Sequence, residues 1–295
     1  MIESEVFPFP FDDDPPHQGH ASAPDKAPAP GRASGKKAAP KYNNPTARIL
    51  HRRYPILLAS MRARVSLALV GPPGWGKSSA AQTAADEIGL TFSSTSVCAQ
   101  TSISALLGFV DATGTYRPSH FRRAYEHGSL FLLDEFDAGN ANVLAVINNS
   151  LSTSQCAFPD AMVPRHPDFV LIAAGNTYGT GATRQFVGRN ALDAATLDRF
   201  AYLYWPEDPD WEMALCSNAN WVARVQEVRA HARTLGTNVI ISPRASFIGA
   251  DLLAAGVPPA VVEEMVLKKG MEDLTWQKIL ALCETGNFET VVGPR

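Results

Sequence analysis

GPPGWGKS, residues 71–78, is the stretch of sequence that decides the fold. It matches the pattern GxxxxGK[ST], and it lies between an apolar run, VSLALV at 65–70, and a helical pattern over Lys77–Ile88. Glycines let the backbone N–H groups of such a loop turn inward around a phosphate, and the N-terminus of the following helix adds its dipole. The motif therefore predicts a nucleotide phosphate site at the end of a buried strand.

The residues of this loop have separate expected roles. Lys77 would place a positive charge at the β and γ phosphate oxygens, and Ser78 would ligate Mg²⁺. A glycine turn of purely structural role is the alternative, and the flanking strand and helix argue against it. With ATP and Mg²⁺ as the ligands, the predicted nucleotide-binding residues are Gly71, Pro72, Pro73, Gly74, Trp75, Gly76, Lys77, Ser78 and Ser79.

From Tyr42 onward, short apolar runs alternate with helical stretches. Such alternation is typical of a parallel sheet that is covered by helices on both faces. Periodicity alone does not separate a buried strand from a buried helix, but the short lengths of these runs favour strands. We therefore predict an α/β fold, an αβα sandwich with a five-stranded parallel sheet. Besides 65–70, the predicted strands are LTFSS near Phe92, SLFLLD at 129–134, FVLIAA at 169–174 and FAYLYW at 200–205.

Polar residues lie at the ends of two of these predicted strands. Asp134 would lie where a carboxylate can meet the Mg²⁺ held by the loop, and Glu135 would polarise the attacking water as a general base. An acidic pair at a strand end is unremarkable by itself, and it gains this meaning from the phosphate loop upstream. Asn176 ends another strand at the same sheet edge, where its amide would orient the water. An asparagine in an ordinary turn is the alternative for Asn176.

After Trp205 the strand pattern stops, and helical patterns follow at 220–235, 243–255, 259–269 and 272–283. The first three of these stretches end at glycines, which commonly cap helix C-termini. The sequence therefore predicts an α/β domain over residues 42–205 and a small helical lid domain over residues 206–295.

The first 41 residues are expected to form a disordered tail. Nine of the 22 prolines fall in the first 45 residues, amid Ala, Gly, Ser and Lys, so this segment cannot build a core. Its apolar FPFPF is a candidate docking motif, although a plain solvated tail is the simpler interpretation. The acidic N-terminus shows no export signal, and no apolar run reaches the length of a membrane span. We therefore expect a cytoplasmic protein without membrane contact.

The composition argues against several classes of function. Hydrophobic residues make up 45% and charged residues 19%, as in ordinary soluble proteins, and the net charge of -3 gives no overall attraction to nucleic acid or anionic lipid. Neither a zinc site nor a disulfide framework is indicated, because the cysteines lie far apart without a CxxC pair. These cysteines are Cys98, Cys156, Cys216 and Cys283.

The motifs together resemble the AAA+ superfamily of P-loop NTPases, and within it the MoxR-type and dynein-related branch that includes the cobaltochelatase small ATPase subunit and phage-encoded relatives. The resemblance covers about residues 44–283. It implies ATP hydrolysis with Mg²⁺ in a homo-oligomeric ring of about six subunits. It rests on five motifs in family order: Walker A (GPPGWGKS), Walker B (LFLLDE), sensor 1 (Asn176), an arginine finger (Arg199 in LDRF) and sensor 2 (Arg244 in SPR).

The resemblance gives the arginines roles that the residues alone leave open. It implies that Arg199 reaches the γ-phosphate of a neighbouring subunit, whereas a local ion pair with the preceding aspartate is the alternative. Arg244 opens a helix, where a cation gains nothing from the helix dipole, so an anionic ligand explains it better. Arg184 and Arg189, in the glycine-rich stretch after the fourth strand, are rival interface arginines.

A turn signal, ATGT, between Val110 and Tyr116 predicts a small hairpin within a helical region. Relatives of the MoxR type carry an insertion there that faces the central pore and contacts a client. By that resemblance, Phe109 and Tyr116 are the candidate contact residues. An ordinary surface loop is the alternative.

Three functions compete at this point. The first is a motor that remodels a protein client, or that inserts a metal into a large assembly, with a von Willebrand A domain as partner. The second is a DNA translocase or helicase; it is disfavoured because residues 206–295 carry 8 Lys+Arg against 12 Asp+Glu, a local charge of -4. The third is an ATP-gated assembly switch with negligible turnover, against which an intact Glu135 argues.

Overall fold

A computed structural model describes residues 49–283. The predicted tail at 1–41 lies outside the described residues, as does the end of the predicted lid domain, 284–295. In the first part of the described chain, the elements are α1 (Tyr54–Arg62), β1 (Leu67–Val70), α2 (Lys77–Glu87), β2 (Phe92–Ser96), α3 (Ile103–Leu107), β3 (Phe109–Val110), β4 (Tyr116–Arg117), α4 (His120–His127) and β5 (Leu130–Asp134).

A 3₁₀ turn, Phe136–Ala138, follows β5 directly and leads into the second part of the chain. The later elements are α5 (Ala141–Ser152), β6 (Gln155–Ala157), β7 (Met162–Pro164), β8 (Val170–Gly175), α6 (Ala194–Leu197), β9 (Ala201–Tyr204), α7 (Pro209–Leu215), α8 (Ala219–Thr234), α9 (Pro243–Ala254), α10 (Pro259–Glu263), a π-helical turn (Glu264–Lys268) and α11 (Asp273–Leu282).

The main sheet has five parallel strands in the order β2-β5-β8-β1-β9. All five predicted strands are present in it, so the predicted α/β fold is confirmed. Every residue of β1 and β8 is buried, and β5 is buried up to Asp134. Their continuous apolar sequences reflect this, because such strands are covered on both faces.

Two hydrophobic clusters cover the two faces of the sheet. On one face, Leu57 of α1 and Ala84 of α2 pack with alternate strand residues such as Leu69. On the other face, Phe121 of α4 and Ile147 of α5 pack with the remaining alternate residues of the same strands, such as Val70. Because side chains alternate along each strand, the two clusters share the strands and hold the carboxyl ends of β1, β5 and β8 together.

A third hydrophobic cluster joins the helices that follow β9 and includes Trp221, Val225 and Ile279. Gly249 of α9 is required here, because a Cβ at this position would overlap the indole ring of Trp221. The last predicted helices are present, with the change that α10 passes into a π-helical turn instead of continuing as α-helix. The separate cluster supports a lid domain, and its boundary at residue 206 remains our proposal.

The predicted hairpin between Val110 and Tyr116 is present, because β3 and β4 pair antiparallel. Asp111 organises its turn: it accepts hydrogen bonds from Thr113 and Thr115 and from the Arg117 guanidinium, and these bonds lower its pKa to about 2. A second hairpin, β6–β7, was not predicted from the sequence. Within residues 49–283, no helix is long and apolar enough to cross a membrane.

Candidate functional site

The phosphate loop joins β1 to α2 and is held by close backbone packing. A Cβ at Gly71 would overlap the carbonyl group of Trp205, so only glycine fits at the start of the loop. Gly76 has φ +75°, a left-handed conformation that glycine adopts without strain. Trp75 is buried, and its carbonyl accepts a hydrogen bond from the Trp205 indole at 2.7 Å. These contacts pre-form the loop.

Lys77 lies buried at the start of α2, with its ammonium turned back into the loop. Its Nζ donates to the carbonyls of Gly71 at 2.7 Å and Pro72 at 2.9 Å, and to Oδ1 of Asn176 at 3.4 Å. Burial lowers the pKa of Lys77 to about 8, although the carboxylates of Asp134 and Glu135 oppose this shift. The ammonium is therefore held on carbonyl oxygens that phosphate oxygens could replace.

Ser78 and Asp134, the two predicted Mg²⁺ ligands, are in contact. The Ser78 hydroxyl donates to Oδ2 of Asp134 at 2.8 Å, across from α2 to the end of β5. A hydroxyl and a carboxylate oxygen are the hard oxygen ligands that Mg²⁺ prefers. The chemistry of this pair therefore fits the metal.

The predicted catalytic residues Glu135, Asn176 and Arg244 meet the loop in one cleft of about 270 Å³. They come from the end of β5, the end of β8 and the start of α9, and only the fold brings them together. Ser79 also lines the cleft, whereas Gly71, Pro72 and Trp75 of the predicted set do not. The lining residues are Pro73, Gly74, Gly76, Lys77, Ser78, Ser79, Asp134, Glu135, Gly175, Asn176 and Arg244.

Arg199, the predicted arginine finger, is not among the residues that line this cleft. It is exposed after α6, and its Nε donates to Oδ1 of Asn148 on α5 at 2.9 Å. This hydrogen bond takes the place of the local ion pair that was the alternative. Any action of Arg199 on a nucleotide would therefore concern another subunit's site.

Two functional candidates were missed or misplaced by sequence reasoning. Asp137 was not singled out, yet it is fully buried and accepts from the backbone N–H groups of Asn176 and Thr177. Arg189 was considered only as a rival interface arginine. In the structure its guanidinium forms an ion pair with the carboxylate of Glu135 in the same chain. The signal in the sequence that could have identified Asp137 is its position as the third acid in DEFD. A carboxylate inside an apolar segment needs hydrogen-bond or ion-pair partners.

Comparison with known proteins agrees with this geometry. Residues 66–200 match the family model of the AAA domain, dynein-related subfamily. The match begins just before β1 and ends just before β9, so it includes the phosphate loop, Asp134, Glu135 and Asn176. This part of the chain is therefore similar to the AAA domain of the dynein-related subfamily.

Among curated relatives, the chain is similar to the aerobic cobaltochelatase subunit CobS of Sinorhizobium sp, with 27% identity over 147 residues. That match takes 47% of this chain and 43% of CobS, so it spans less than half the length of the relative.

Similar solved structures include an ATPase candidate from Cytophaga hutchinsonii, with 21% identity, a TM-score of 0.45 and coverage of 56% of this chain and 49% of that one. A mutant of RuvB from Thermotoga maritima has 17% identity, a TM-score of 0.46 and coverage of 75% and 70%. Because both scores lie below 0.5, the fold assignment rests on the sheet topology.

Proposed function

We propose that this chain binds ATP with Mg²⁺ in the cleft beside residues 71–78, and that it hydrolyses the ATP as a subunit of a homo-oligomeric ring. The observation that carries the proposal is the convergence of a buried lysine, a paired hydroxyl and carboxylate, a second carboxylate, an amide and an arginine on one cleft. These are the groups that phosphoryl transfer to water requires.

Each residue has a distinct part in the proposed reaction. The Lys77 ammonium would exchange its carbonyl acceptors for phosphate oxygens, while Ser78 and Asp134 would hold the metal. Bound Mg²⁺ would neutralise charge on the phosphates. Glu135 would accept a proton from the attacking water, and Asn176 would hold that water in place. Arg244 would bring α9 and the helices behind it toward the phosphates.

The ring is proposed because Arg199, the predicted arginine finger, does not line the cleft of its own chain. Arg199 would act on the site of the next subunit, where it would stabilise the charge that develops on the γ-phosphoryl oxygens. Such a head-to-tail contact uses two different surfaces, so it closes into a ring or continues as a filament, and we expect a ring. We expect about six subunits by family resemblance.

The client is proposed to be a protein or a protein assembly. The β3–β4 hairpin supports this, because Phe109 and Val110 are 54% and 49% exposed and give the hairpin an exposed apolar strand. The similarity to a protein named as a subunit of an enzyme also favours a protein partner. A protein with a von Willebrand A domain is the candidate that we propose.

The nucleotide site is tested with Lys77→Ala, which leaves the phosphate charge uncompensated. We expect this variant to lose most of its ATP affinity in calorimetry. Lys278→Ala, which removes an exposed lysine on α11, should bind ATP normally and serves as the control. Equal affinities of the two variants would rule out this cleft as the ATP site.

Turnover measurements separate the proposed motor from its rivals. Steady-state ATP hydrolysis by the unmodified chain is expected, and its absence despite ATP binding would favour the assembly switch. Stimulation of turnover by DNA, together with salt-dependent DNA binding, would favour the translocase. A pull-down with a candidate von Willebrand A domain protein tests the partner.

A further inference from the structure

The loop between β8 and α6 docks on the turn that follows Glu135. The backbone N–H of Asn190 donates to the carbonyl of Asp137 at 2.9 Å, and the Asn190 side-chain amide donates to the carbonyl of Gly139 at 2.9 Å. These bonds fasten the end of the loop to the 3₁₀ turn behind β5. As a result, the residue before Asn190, Arg189, lies beside the cleft of its own chain.

Asp137 anchors the Arg189 side chain. Its carboxylate is fully buried: Oδ2 accepts from the backbone of Asn176 and Thr177 and from the Thr177 hydroxyl, and Oδ1 accepts from Nη1 of Arg189 at 3.0 Å. Arg189 is itself only 14% exposed. Since the carboxylate cannot turn without losing several buried hydrogen bonds, it holds the guanidinium in one place.

Glu135 is the group that this anchored guanidinium contacts. Nη1 of Arg189 lies 2.5 Å from Oε2 of Glu135, whose side chain is 43% exposed. The Glu135 backbone has φ +58°, in the left-handed region that a residue with a side chain adopts at a cost. Glu135 lines the cleft, and among the described residues only Arg189 forms an ion pair with its carboxylate.

We propose that Arg189 is a positioning residue that acts in cis: it holds the carboxylate of Glu135 in place for the attacking water and is itself anchored by Asp137. The inference rests on the proposed function, because it assigns Arg189 to the base of that reaction. It replaces the interpretation of Arg189 as an interface arginine. Without the guanidinium, the half-exposed carboxylate would sample other rotamers, and fewer of them would have the geometry for proton transfer.

A first experiment compares kcat with ATP affinity. Arg189→Ala should lower kcat by about tenfold to a hundredfold, the usual effect of a misplaced catalytic group, while the Kd for ATP stays close to that of the unmodified chain. Arg189→Lys keeps the charge without the planar fork and should recover part of the lost kcat. Arg123→Ala, which removes an exposed arginine of α4, is the control and should leave both constants unchanged.

Two results of this experiment would overturn the proposal. An unchanged kcat in Arg189→Ala would show that Glu135 needs no guanidinium. A parallel loss of ATP affinity and thermal stability in Arg189→Ala, with no recovery in Arg189→Lys, would show a purely structural role. If the unmodified chain neither binds nor hydrolyses ATP, the proposed function itself fails, and that outcome is distinct from both.

A second experiment separates action in cis from action on a neighbour. Arg189→Ala and Glu135→Gln subunits carry different tags, are expressed together, and are purified through both tags in turn. If Arg189 acts in cis, every site of the mixed assembly lacks either Arg189 or Glu135. The ATPase activity of the mixed assembly then stays at the level of the separate variants. Activity well above that level would place Arg189 on the neighbouring site and overturn the proposal.

Discussion

Two opposing effects act on the pKa of the Lys77 side chain. Burial disfavours its charge and lowers its pKa to about 8, while nearby carboxylates and the carbonyls of Gly71 and Pro72 stabilise the ammonium. A bound triphosphate would add several negative charges beside it. The pKa of Lys77 should therefore rise on ATP binding, and proton uptake should accompany binding at alkaline pH.

This reasoning predicts a pH dependence of ATP affinity. Below pH 8 the free site already carries the ammonium, so affinity changes little with pH. Above pH 8 the free site loses the proton that the complex needs, and affinity should fall by up to about tenfold per pH unit. Calorimetry in EDTA, at pH 7 to 9.5 and in buffers of different ionisation enthalpy, measures both quantities. A constant affinity without proton uptake would contradict the assignment.

Glu135 gives a second prediction at this scale. Glu135→Gln keeps the shape of the side chain but removes its basicity, so we expect retained ATP binding and a kcat lower by at least about a hundredfold. Burst and steady-state phosphate release measure turnover, with calorimetry for binding. Asp210→Asn, an exposed acid in the first turn of α7, is the control. Ordinary turnover in Glu135→Gln would assign the base to another residue.

At the scale of elements, the first helix after the sheet packs on the phosphate loop. A Cβ at Gly76 would come within 3.0 Å of the Trp211 ring of α7, so the two segments touch. The neighbouring Glu212 is fully buried and forms a bidentate pair with Arg229 of α8, whose guanidinium lies 5.2 Å from the Trp75 ring of the loop. A movement of these helices should therefore displace the phosphate loop.

The Glu212–Arg229 pair should be important for stability. Glu212→Gln leaves a buried guanidinium without its counter-charge, and we expect a loss of about 3–5 kcal/mol in the free energy of unfolding. Glu207→Gln breaks the exposed pair with Arg233 and should cost less than about 1 kcal/mol. Urea unfolding followed by tryptophan fluorescence compares the two. Similar losses in the two variants would mean that the buried pair contributes no more to stability than the exposed pair.

At the scale of the whole molecule, the cleft and Arg199 lie at separate places on one subunit. The hydrogen bond from Arg199 to Asn148 keeps the arginine on the outer surface of the α/β part. A site that borrows its arginine from a neighbour cannot be fully active as a monomer. ATPase activity per subunit should therefore rise cooperatively with protein concentration, in step with assembly measured by light scattering.

Mixing two inactive variants tests the borrowed arginine. If Arg199 acts in trans, Arg199→Ala keeps Glu135 but damages the neighbour's site. If Glu135 is the base, Glu135→Gln keeps the arginine but does not hydrolyse ATP. Mixed rings contain some sites with both parts intact, so ATPase activity should exceed that of either variant alone. An absence of recovery, in assemblies shown to contain both variants, would mean that Arg199 acts in cis or has no role in turnover.

Local patterns in the sequence were sufficient for the strands, the phosphate loop, most helices and the β3–β4 hairpin, because each depends on residues that are close in the chain. The apolar run before Gly71 and the acids at the end of β5 identified most of the cleft in the same way. The β6–β7 hairpin and the π-helical turn after α10 were not predicted, because neither has a distinctive local pattern. The contact of Arg199 with Asn148 was missed because the two residues are 51 positions apart.

The sequence by itself determined the class of fold and the chemistry of the phosphate site, since glycine conformation, charge and strand burial are properties of short segments. Only the tertiary structure decided that Asp137 is a buried anchor and that Arg189 meets Glu135. Asp137 and Arg189 are 52 positions apart, and their pairing depends on how the loop after β8 packs against the end of β5. Packing of that kind brings distant charges together in a buried place, and no local pattern encodes it.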